Sequence, residues 1–247
     1  MSERGSRPAE SGNGDFELDR AVRVGARALA RAGMVTAFGH FSARIDSDRF
    51  LVCAPRPMGL LGPDDPGTIV GIAGDLPPGV LGEVRIHQAV YARDPDVRAI
   101  ARSTPPAIMA LSAAAHVPQP RNGFGSYFAD LRFWHDARLI RSAELAAGVA
   151  EELGPARAIV LRGNGVVVVG DSVAKAVALT WFLEEMARLE LAILSAGLAE
   201  SAPVLTAEET AARATFSGQV VERLWEYLIA GDPEAPGLNM PPVGKLS

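Results

Sequence analysis

The stretch that decides the fold is VRAIARSTPPAIMALSA, residues 97–113. It begins as a short apolar strand, ends in the polar step Arg102-Ser103-Thr104, and continues after two prolines into a helix rich in alanine, leucine and methionine. Proteins that combine strands and helices often place functional side chains where a strand ends just before a helix. The sequence therefore predicts a functional site at this turn, although the stretch contains no histidine.

Composition predicts one globular domain that does not bind nucleic acid. The chain has 247 residues, of which 48% are hydrophobic, so it is long enough to bury one sizeable core. The net charge is −5, and the basic residues, nearly all arginine, form no stripe that would follow a phosphate backbone. We therefore expect no nucleic-acid partner. The single cysteine, Cys53, excludes a disulfide framework and favours a reducing compartment.

The two ends of the chain predict tails. Residues 1–14 are rich in serine, glycine, proline and charged residues, which is typical of a disordered segment. We expect the domain to cover residues 15–231 and a C-terminal tail to cover residues 232–247. The sequence contains neither a signal-peptide pattern nor a run of about 20 apolar residues, so we expect a cytoplasmic protein without a membrane partner.

The order of the predicted elements indicates the α/β class. GHFSARI (39–45) and RFLVCAP (49–55) form one predicted hairpin, and the Asn164-Gly165 pair predicts a second. Hairpins between helices favour an α/β/α arrangement around a largely antiparallel sheet. Residues 116–139 are predicted as a long functional loop, and residues 205–231 as one last helix.

Three stretches, taken together and in order, carry a resemblance. GHFSAR (39–44), GEVRIHQAVYARDPDVRAI (82–100) and LRGNGVVVVGDSVAKAVALTWFLEEMARLEL (161–191) resemble the class II aldolase/adducin superfamily. They are most similar to its branch of decarboxylases and related enzymes that act on hydroxylated aromatic or heteroaromatic acids. The resemblance implies the class II aldolase-like fold and a homotetramer with its sites at subunit interfaces.

The same resemblance implies a metal site whose ligands are missing here. Catalytic members hold a divalent metal between three histidines, with a glutamate nearby. Position by position, the glutamate corresponds to Glu83, and the histidines correspond to Arg102, Thr104 and Asn164. Transition metals prefer imidazole, thiolate or carboxylate ligands, whereas arginine is permanently charged and offers no acceptor. We therefore predict no metal and no cofactor.

Two hypotheses about function follow. The first is a metal-independent lyase of decarboxylase, retro-aldol, dehydratase or cyclase type, acting on a small carboxylated or carbonyl substrate through an enolate-like intermediate. Glu83 would be its acid/base, and Arg102 would stabilise the anion with help from Asn164. The alternative is a non-catalytic, adducin-like structural or regulatory module with a degenerate metal site, in which Arg102 and Glu83 form only an ion pair.

The resemblance also suggests residues that bind the substrate. They are His40, Ser42, Arg56, Thr104, Tyr127 and His135. Each has a purely structural alternative, such as a polar strand end or a solvated loop residue, and His87 is expected to make a structural hydrogen bond. A Schiff-base mechanism needs a desolvated lysine, whereas Lys175 is predicted to lie near the start of a surface helix.

Overall fold

The computed structural model describes residues 11–238, which form seven α-helices and seven strands. The helices are α1 (Ser11–Arg31), α2 (Arg85–Arg93), α3 (Pro106–Ala113), α4 (Ala143–Leu153), α5 (Val173–Ser195), α6 (Ala207–Arg213) and α7 (Val220–Ile229). The strands are β1 (His40–Arg44), β2 (Arg49–Val52), β3 (Thr68–Gly71), β4 (Ala99–Ser103), β5 (Arg132–Trp134), β6 (Ala158–Leu161) and β7 (Val166–Gly170).

The strands form one sheet in the order β3-β2-β1-β4-β7-β6-β5. Only β5 and β6 pair in parallel. Successive side chains of the central strand β4 point to opposite faces: Ala99 and Ala101 pack with α1, α5 and α7, whereas Ile100 packs with α2 and α4. Helices therefore cover both faces, which confirms the predicted α/β/α fold with a largely antiparallel sheet.

The same alternation places Arg102 on the face of Ile100, the face that α2 covers. His40 is the Cα partner of Arg102 across the β1–β4 pair, and Ser42 is the partner of Ile100. Directly paired residues on antiparallel strands share a face. The register therefore brings His40, Ser42 and Arg102 beneath α2.

The aromatic segment 116–139 is more regular than the predicted loop. It contains a 3₁₀ turn, Gly125–Phe128, and the strand β5, whose Phe133 is buried. Three residues are too few to show an alternating pattern in the sequence, so β5 is formed by its pairing with β6.

The last predicted helix is two helices. Helix α6 ends at Arg213 and α7 begins at Val220. Between them Gly218 and Gln219 have φ angles of 73° and 57°, which a right-handed helix does not include.

Helix α5 is a core helix and not the predicted surface helix. Lys175 in its first turn is 5% exposed, and its Nζ lies 2.6 Å from Oδ2 of Asp171 and 3.9 Å from the ring centre of Phe216. Burial of this helix follows from its long apolar faces, which pack between α1, α7 and the sheet. None of the described helices is both long enough and apolar enough to cross a bilayer.

Regular structure begins before residue 15, and buried contacts continue after residue 231. Helix α1 begins at Ser11, and the remainder of the predicted N-terminal tail, residues 1–10, lies outside the described residues, as do residues 239–247. Asp232 is buried and its carboxylate lies 2.7 Å from Nη2 of Arg27, while Glu234 lies 2.7 Å from Nη2 of Arg23. The segment after α7 is therefore joined to α1 by ion pairs.

Candidate active site

A cleft of about 740 Å³ opens on the side of the sheet where β1 begins and β4 ends. The turn between β6 and β7, the 3₁₀ turn Gly82–Val84 and the loop after β2 complete its walls. Six of the predicted site residues line it: His40, Arg56, Glu83, Arg102, Thr104 and Asn164. The structure thus brings together all four positions that the resemblance assigned to the metal site.

Glu83, Arg102 and Asn164 form a closed set of hydrogen bonds. Nη2 of Arg102 donates to Oδ1 of Asn164 at 2.6 Å and to Oε2 of Glu83 at 3.3 Å. Nδ2 of Asn164 donates to Oε1 of Glu83 at 2.9 Å. The guanidinium and the carboxylate are therefore held together by an amide that serves both.

The β6–β7 turn puts Asn164 beside the end of β4. The predicted hairpin is present, with Asn164 N donating to the carbonyl of Leu161 at 2.9 Å. Gly163 and Gly165, rather than Asn164, have positive φ angles of 64° and 81°. A Cβ atom on Gly165 would lie 2.1 Å from the carbonyl oxygen of Ser103, so only glycine allows this approach.

Arg102 is the most buried charged group of the cleft, with 3% of its surface exposed. Burial lowers its pKa, and the neighbouring Glu83 carboxylate acts in the opposite direction. An arginine side chain stays protonated in proteins, so a positive charge sits at the base of the cleft. Within residues 11–238 its buried Nε–H has no hydrogen-bond partner.

His40 is the end of a buried chain of hydrogen bonds. Its Nδ1 lies 2.8 Å from Nε2 of His87, whose Nδ1 lies 2.6 Å from Oγ of Ser42. Oγ of Ser42 lies 2.9 Å from the hydroxyl of Tyr91. Burial, with the positive charge of Arg102, lowers the pKa of His87 to about 3 and that of His40 well below its usual value, so both rings are neutral.

Ser42 therefore lies behind the cleft wall and not in the cleft. The prediction of a structural hydrogen bond for His87 agrees with this chain, whereas Ser42, which was predicted to bind the substrate, does not line the cleft. Two spacings in the sequence point to the chain: His40 and Ser42 are two residues apart on β1, and His87 and Tyr91 are four apart on α2. Each pair shares a face, yet the sequence does not show that the two faces meet.

Arg56 and Thr104 lie at the edge of the cleft. Arg56 is half-exposed, and its Nη1 donates to Asp65 at 2.6 Å, which leaves other guanidinium donors toward the cleft or solvent. The backbone N–H of Thr104 donates to the carbonyl of Met34 at 3.1 Å, which fixes the end of β4.

Tyr127 and His135 do not reach this cleft within one subunit. The Tyr127 hydroxyl donates to the carbonyl of Thr215, and its ring packs against Phe182 and Phe216 in the core on the opposite face of the sheet. His135 lies against Phe133 near a separate surface depression. Tertiary contacts that the sequence does not reveal set the path of this segment.

The cleft also contains residues that sequence reasoning missed. Arg141 follows the aromatic segment and adds a second cation to the wall, and Phe38 precedes the GHFSAR motif with its ring 75% exposed. Met109 and Leu139 add apolar surface. The sequence indicates them only by their position, since each lies within a few residues of a motif or loop that the sequence analysis selected.

The polar groups present do not fit a divalent transition metal. Glu83 is the sole carboxylate among the four aligned positions, and the Arg102 guanidinium occupies its vicinity. Nowhere in residues 11–238 do three or more His, Cys, Asp or Glu side chains cluster as a ligand set. A guanidinium donates hydrogen bonds and has no lone pair for a cation.

Known proteins resemble this chain in sequence and in structure. The 3,4-dihydroxyphthalate decarboxylase of Rhodococcus jostii (strain RHA1) is 31% identical over 69% of this chain and 77% of its own length. The enzyme of the same name from Terrabacter sp. (strain DBF63) is 30% identical over 81% and 90%. The crystal structure of an aldolase II superfamily protein from Pseudomonas syringae superposes with a TM-score of 0.75, at 23% identity, over 89% of this chain and 93% of that one.

The family assignment rests on a longer match. The sequence profile of the class II aldolase and adducin N-terminal domain matches residues 21–191, which include Glu83, Arg102 and Asn164. This range covers most of the chain and contains all seven strands of the sheet. The chain therefore belongs to the class II aldolase and adducin family, with decarboxylases among its relatives.

Proposed function

We propose that this protein is a decarboxylase of a hydroxylated aromatic carboxylate and that it works without a bound metal. The observation that carries the proposal is the Arg102 guanidinium, which lies between Glu83 and Asn164 in an open cleft. The relatives named 3,4-dihydroxyphthalate decarboxylase support both the reaction and the substrate class.

Loss of CO₂ from such a ring needs a place for an electron pair. When a hydroxyl group is ortho to the carboxylate, moving its proton to the carboxylate-bearing carbon gives a β-keto acid. Cleavage of the carbon–carbon bond then releases CO₂ and returns the electron pair to the oxygen as a phenolate, which takes up one proton from solvent. The Arg102 guanidinium stabilises the developing phenolate, as a fixed positive charge does most effectively in a buried site.

Glu83 carries the proton in this scheme. Its carboxylate accepts the hydroxyl proton and delivers it to the ring carbon, which ends the step with the glutamate ionised again. The hydrogen bonds from Arg102 and Asn164 hold this carboxylate at the cleft wall. Asn164 thus orients the base, and its amide is an uncharged hydrogen-bonding group beside the Arg102 guanidinium.

The remaining wall suits a second anionic group on the substrate. Arg56 and Arg141 place two further guanidinium groups around the cleft, and both lie among apolar side chains that can pack against a ring. Arginine binds carboxylates through paired hydrogen bonds. A hydroxylated aromatic dicarboxylate therefore matches the charge of this site.

A direct assay tests the proposal. Purified protein is mixed with 3,4-dihydroxyphthalate, and CO₂ and the dihydroxybenzoate product are quantified by gas analysis and chromatography. We expect turnover that falls about 100-fold or more in Glu83→Gln and Arg102→Lys. Arg49→Lys, which changes an exposed arginine of the β1–β2 hairpin, is the control and should keep full activity. Absence of product from the purified protein would refute the proposal.

Metal independence has its own measurement. Elemental analysis of freshly purified protein should give far less than one transition metal per chain, and prolonged chelation should leave turnover unchanged. Stoichiometric metal that is lost together with activity on chelation would show that the reaction uses a cation after all.

The non-catalytic alternative has one specific observation in its favour, the closed hydrogen bonding of Arg102, Glu83 and Asn164. Such a set satisfies the charges without a ligand. If Glu83→Gln and Arg102→Ala both leave the protein's cellular role intact, the structural reading replaces the enzymatic one.

We also propose that four subunits assemble with the cleft at their boundaries. The exposed ring of Phe38 at the cleft edge supports this, because a neighbouring subunit would cover it. Light scattering should give about four times the 26.0 kDa chain mass, and a monomer at micromolar concentration would contradict it. A cytoplasmic location stays a prediction.

A further inference from the structure

His40 and Arg102 each have one buried nitrogen atom without a partner. The two residues are Cα partners across β1 and β4, both are 3% exposed, and both line the cleft. In the described part of the chain, neither Nε2 of His40 nor Nε of Arg102 makes a hydrogen bond. Buried polar atoms are normally paired with protein, water or ligand, so two unpaired neighbours at a cleft wall mark a place where a ligand can complete the pairing.

The nitrogen of His40 that carries the proton decides whether a ligand at Nε2 must accept or donate a hydrogen bond. If the Tyr91 hydroxyl donates to Ser42, then Ser42 donates to Nδ1 of His87, and Nε2–H of His87 donates to Nδ1 of His40. Every donor of the chain then has an acceptor except Nε2–H of His40, which remains for the cleft. His40 is the Nε2–H tautomer in this arrangement.

The other arrangements leave a buried hydroxyl hydrogen without an acceptor. If the bonds run in reverse, from His40 to Tyr91, the Tyr91 hydroxyl hydrogen has no acceptor among the described residues. If Ser42 accepts from both neighbours, its own hydrogen has none. Every arrangement leaves one buried donor without an acceptor in the described residues, which is costly unless a ligand accepts from it. In the first arrangement that donor belongs to His40, which lines the cleft, whereas Ser42 and Tyr91 do not; this favours the first arrangement.

We propose that the Tyr91–Ser42–His87 chain holds His40 as the Nε2–H tautomer, so that His40 and the Nε–H of Arg102 together form a two-donor subsite for one carboxylate of the substrate. The other space beside His40 is a cavity of about 10 Å³, lined mostly by apolar side chains and too small for more than one water. A ligand acceptor therefore reaches these donors from the cleft. His87, Ser42 and Tyr91 are positioning residues, since they act through His40.

This inference rests on the proposed function for the substrate, but its first test does not need turnover. The chain contains four histidines, and variants of His116 and His135 assign their signals in ¹⁵N-labelled protein. We expect the His40 spectrum to show the proton on Nε2. Ser42→Ala removes the hydroxyl group that links Tyr91 to His87, so His40 molecules with the proton on Nδ1 should appear. Tyr91→Phe is the matched hydroxyl deletion and should keep Nε2–H, because Ser42 still has only His87 as its acceptor.

Binding of phthalate is the second test. This aromatic dicarboxylate lacks the hydroxyl group that the proposed reaction requires, so it reports the subsite without turnover. We expect His40→Met to weaken phthalate binding about tenfold, and His40→Gln, which retains a donor near Nε2, to restore most of it.

The outcomes separate the two proposals. An Nδ1–H tautomer in the unmodified protein, no phthalate binding, or equal binding by His40→Met would overturn the subsite. If the tautomer and the binding are as expected while 3,4-dihydroxyphthalate is not decarboxylated, the subsite stands and the proposed reaction fails.

Discussion

The side-chain oxygen of Asn164 lies 2.6 Å from Nη2 of Arg102, although 62 residues separate the two in the chain. The amide nitrogen of the same side chain lies 2.9 Å from Glu83. An amide offers an acceptor and donors at once, whereas a carboxylate only accepts and a guanidinium only donates. Asn164 is therefore the neutral link that lets one carboxylate and one guanidinium share the base of the cleft.

The first prediction concerns the charge at position 164. Asn164→Asp places a second carboxylate beside Glu83, and two carboxylates sharing one guanidinium raise the pKa of one of them. The pair then loses its last proton only at a higher pH. The pH below which activity falls should therefore rise by about one unit or more. Profiles of kcat/KM against pH measure the shift. Asn122→Asp, in a turn outside the cleft, should show none, and an unshifted profile in Asn164→Asp would contradict the geometry.

The second prediction restores the ligand types that the sequence lacks. A variant with Arg102→His, Thr104→His and Asn164→His removes the guanidinium and presents three imidazoles beside Glu83. We expect it to retain about one Zn²⁺ or Mn²⁺ per chain after dialysis, because imidazole and carboxylate suit these ions. The unmodified protein, dialysed in parallel, should retain none. Equal metal content in the two proteins would show that Arg102 is not what excludes the cation.

The sequence predicted which residues meet in the cleft better than it predicted the path of the aromatic segment 116–139. Glu83, Arg102 and Asn164 lie in or beside strand ends and tight turns, whose positions follow from sheet pairing once the strands are recognised. Tyr127 lies in a segment fixed by a hydrogen bond to Thr215, 88 residues away, and no local pattern predicts such a contact. The residues that the resemblance selected in the strand and turn motifs therefore meet in one cleft, whereas those on the aromatic segment lie outside that cleft within one subunit.

The chain behind His40 shows a second limit of sequence reasoning. Periodicity puts His40 and Ser42 on one face of β1, and His87 and Tyr91 on one face of α2. Their meeting depends on how α2 packs on the sheet, and four polar side chains in a core contradict the usual hydrophobic pattern. Buried polar groups of this kind are retained where each finds a partner.

The third prediction is a loss of stability in mild acid. His40 and His87 are buried and neutral, and their folded pKa values lie below the value of about 6.5 that they regain on unfolding. Below that pH the unfolded chain binds more protons, so the free energy of unfolding falls by up to about 1.4 kcal/mol per pH unit for each histidine. The fall continues for His87 until its folded pKa of about 3. Denaturant titrations between about pH 7 and pH 5 should show this slope, and His87→Gln should reduce it. A flat profile over that interval would contradict the burial of neutral imidazoles.

The last prediction concerns the segment that follows α7. The Asp232 carboxylate is 3% exposed and receives Arg27 Nη2 at 2.7 Å and Arg31 Nη1 at 2.8 Å. Burial opposes its ionisation, but the arginine hydrogen bonds prevail and lower its pKa to about 2. Asp232→Asn removes the charge, while Arg27 keeps its pair with Glu234 at 2.9 Å and Arg31 is partly exposed, so the loss should be about 2 kcal/mol of unfolding free energy. Asp136→Asn is the control: its partner Arg138 is mostly exposed, so the loss should be much smaller. Thermal and denaturant unfolding measure both variants, and equal losses would mean that the ion pairs to α1 do not anchor this segment.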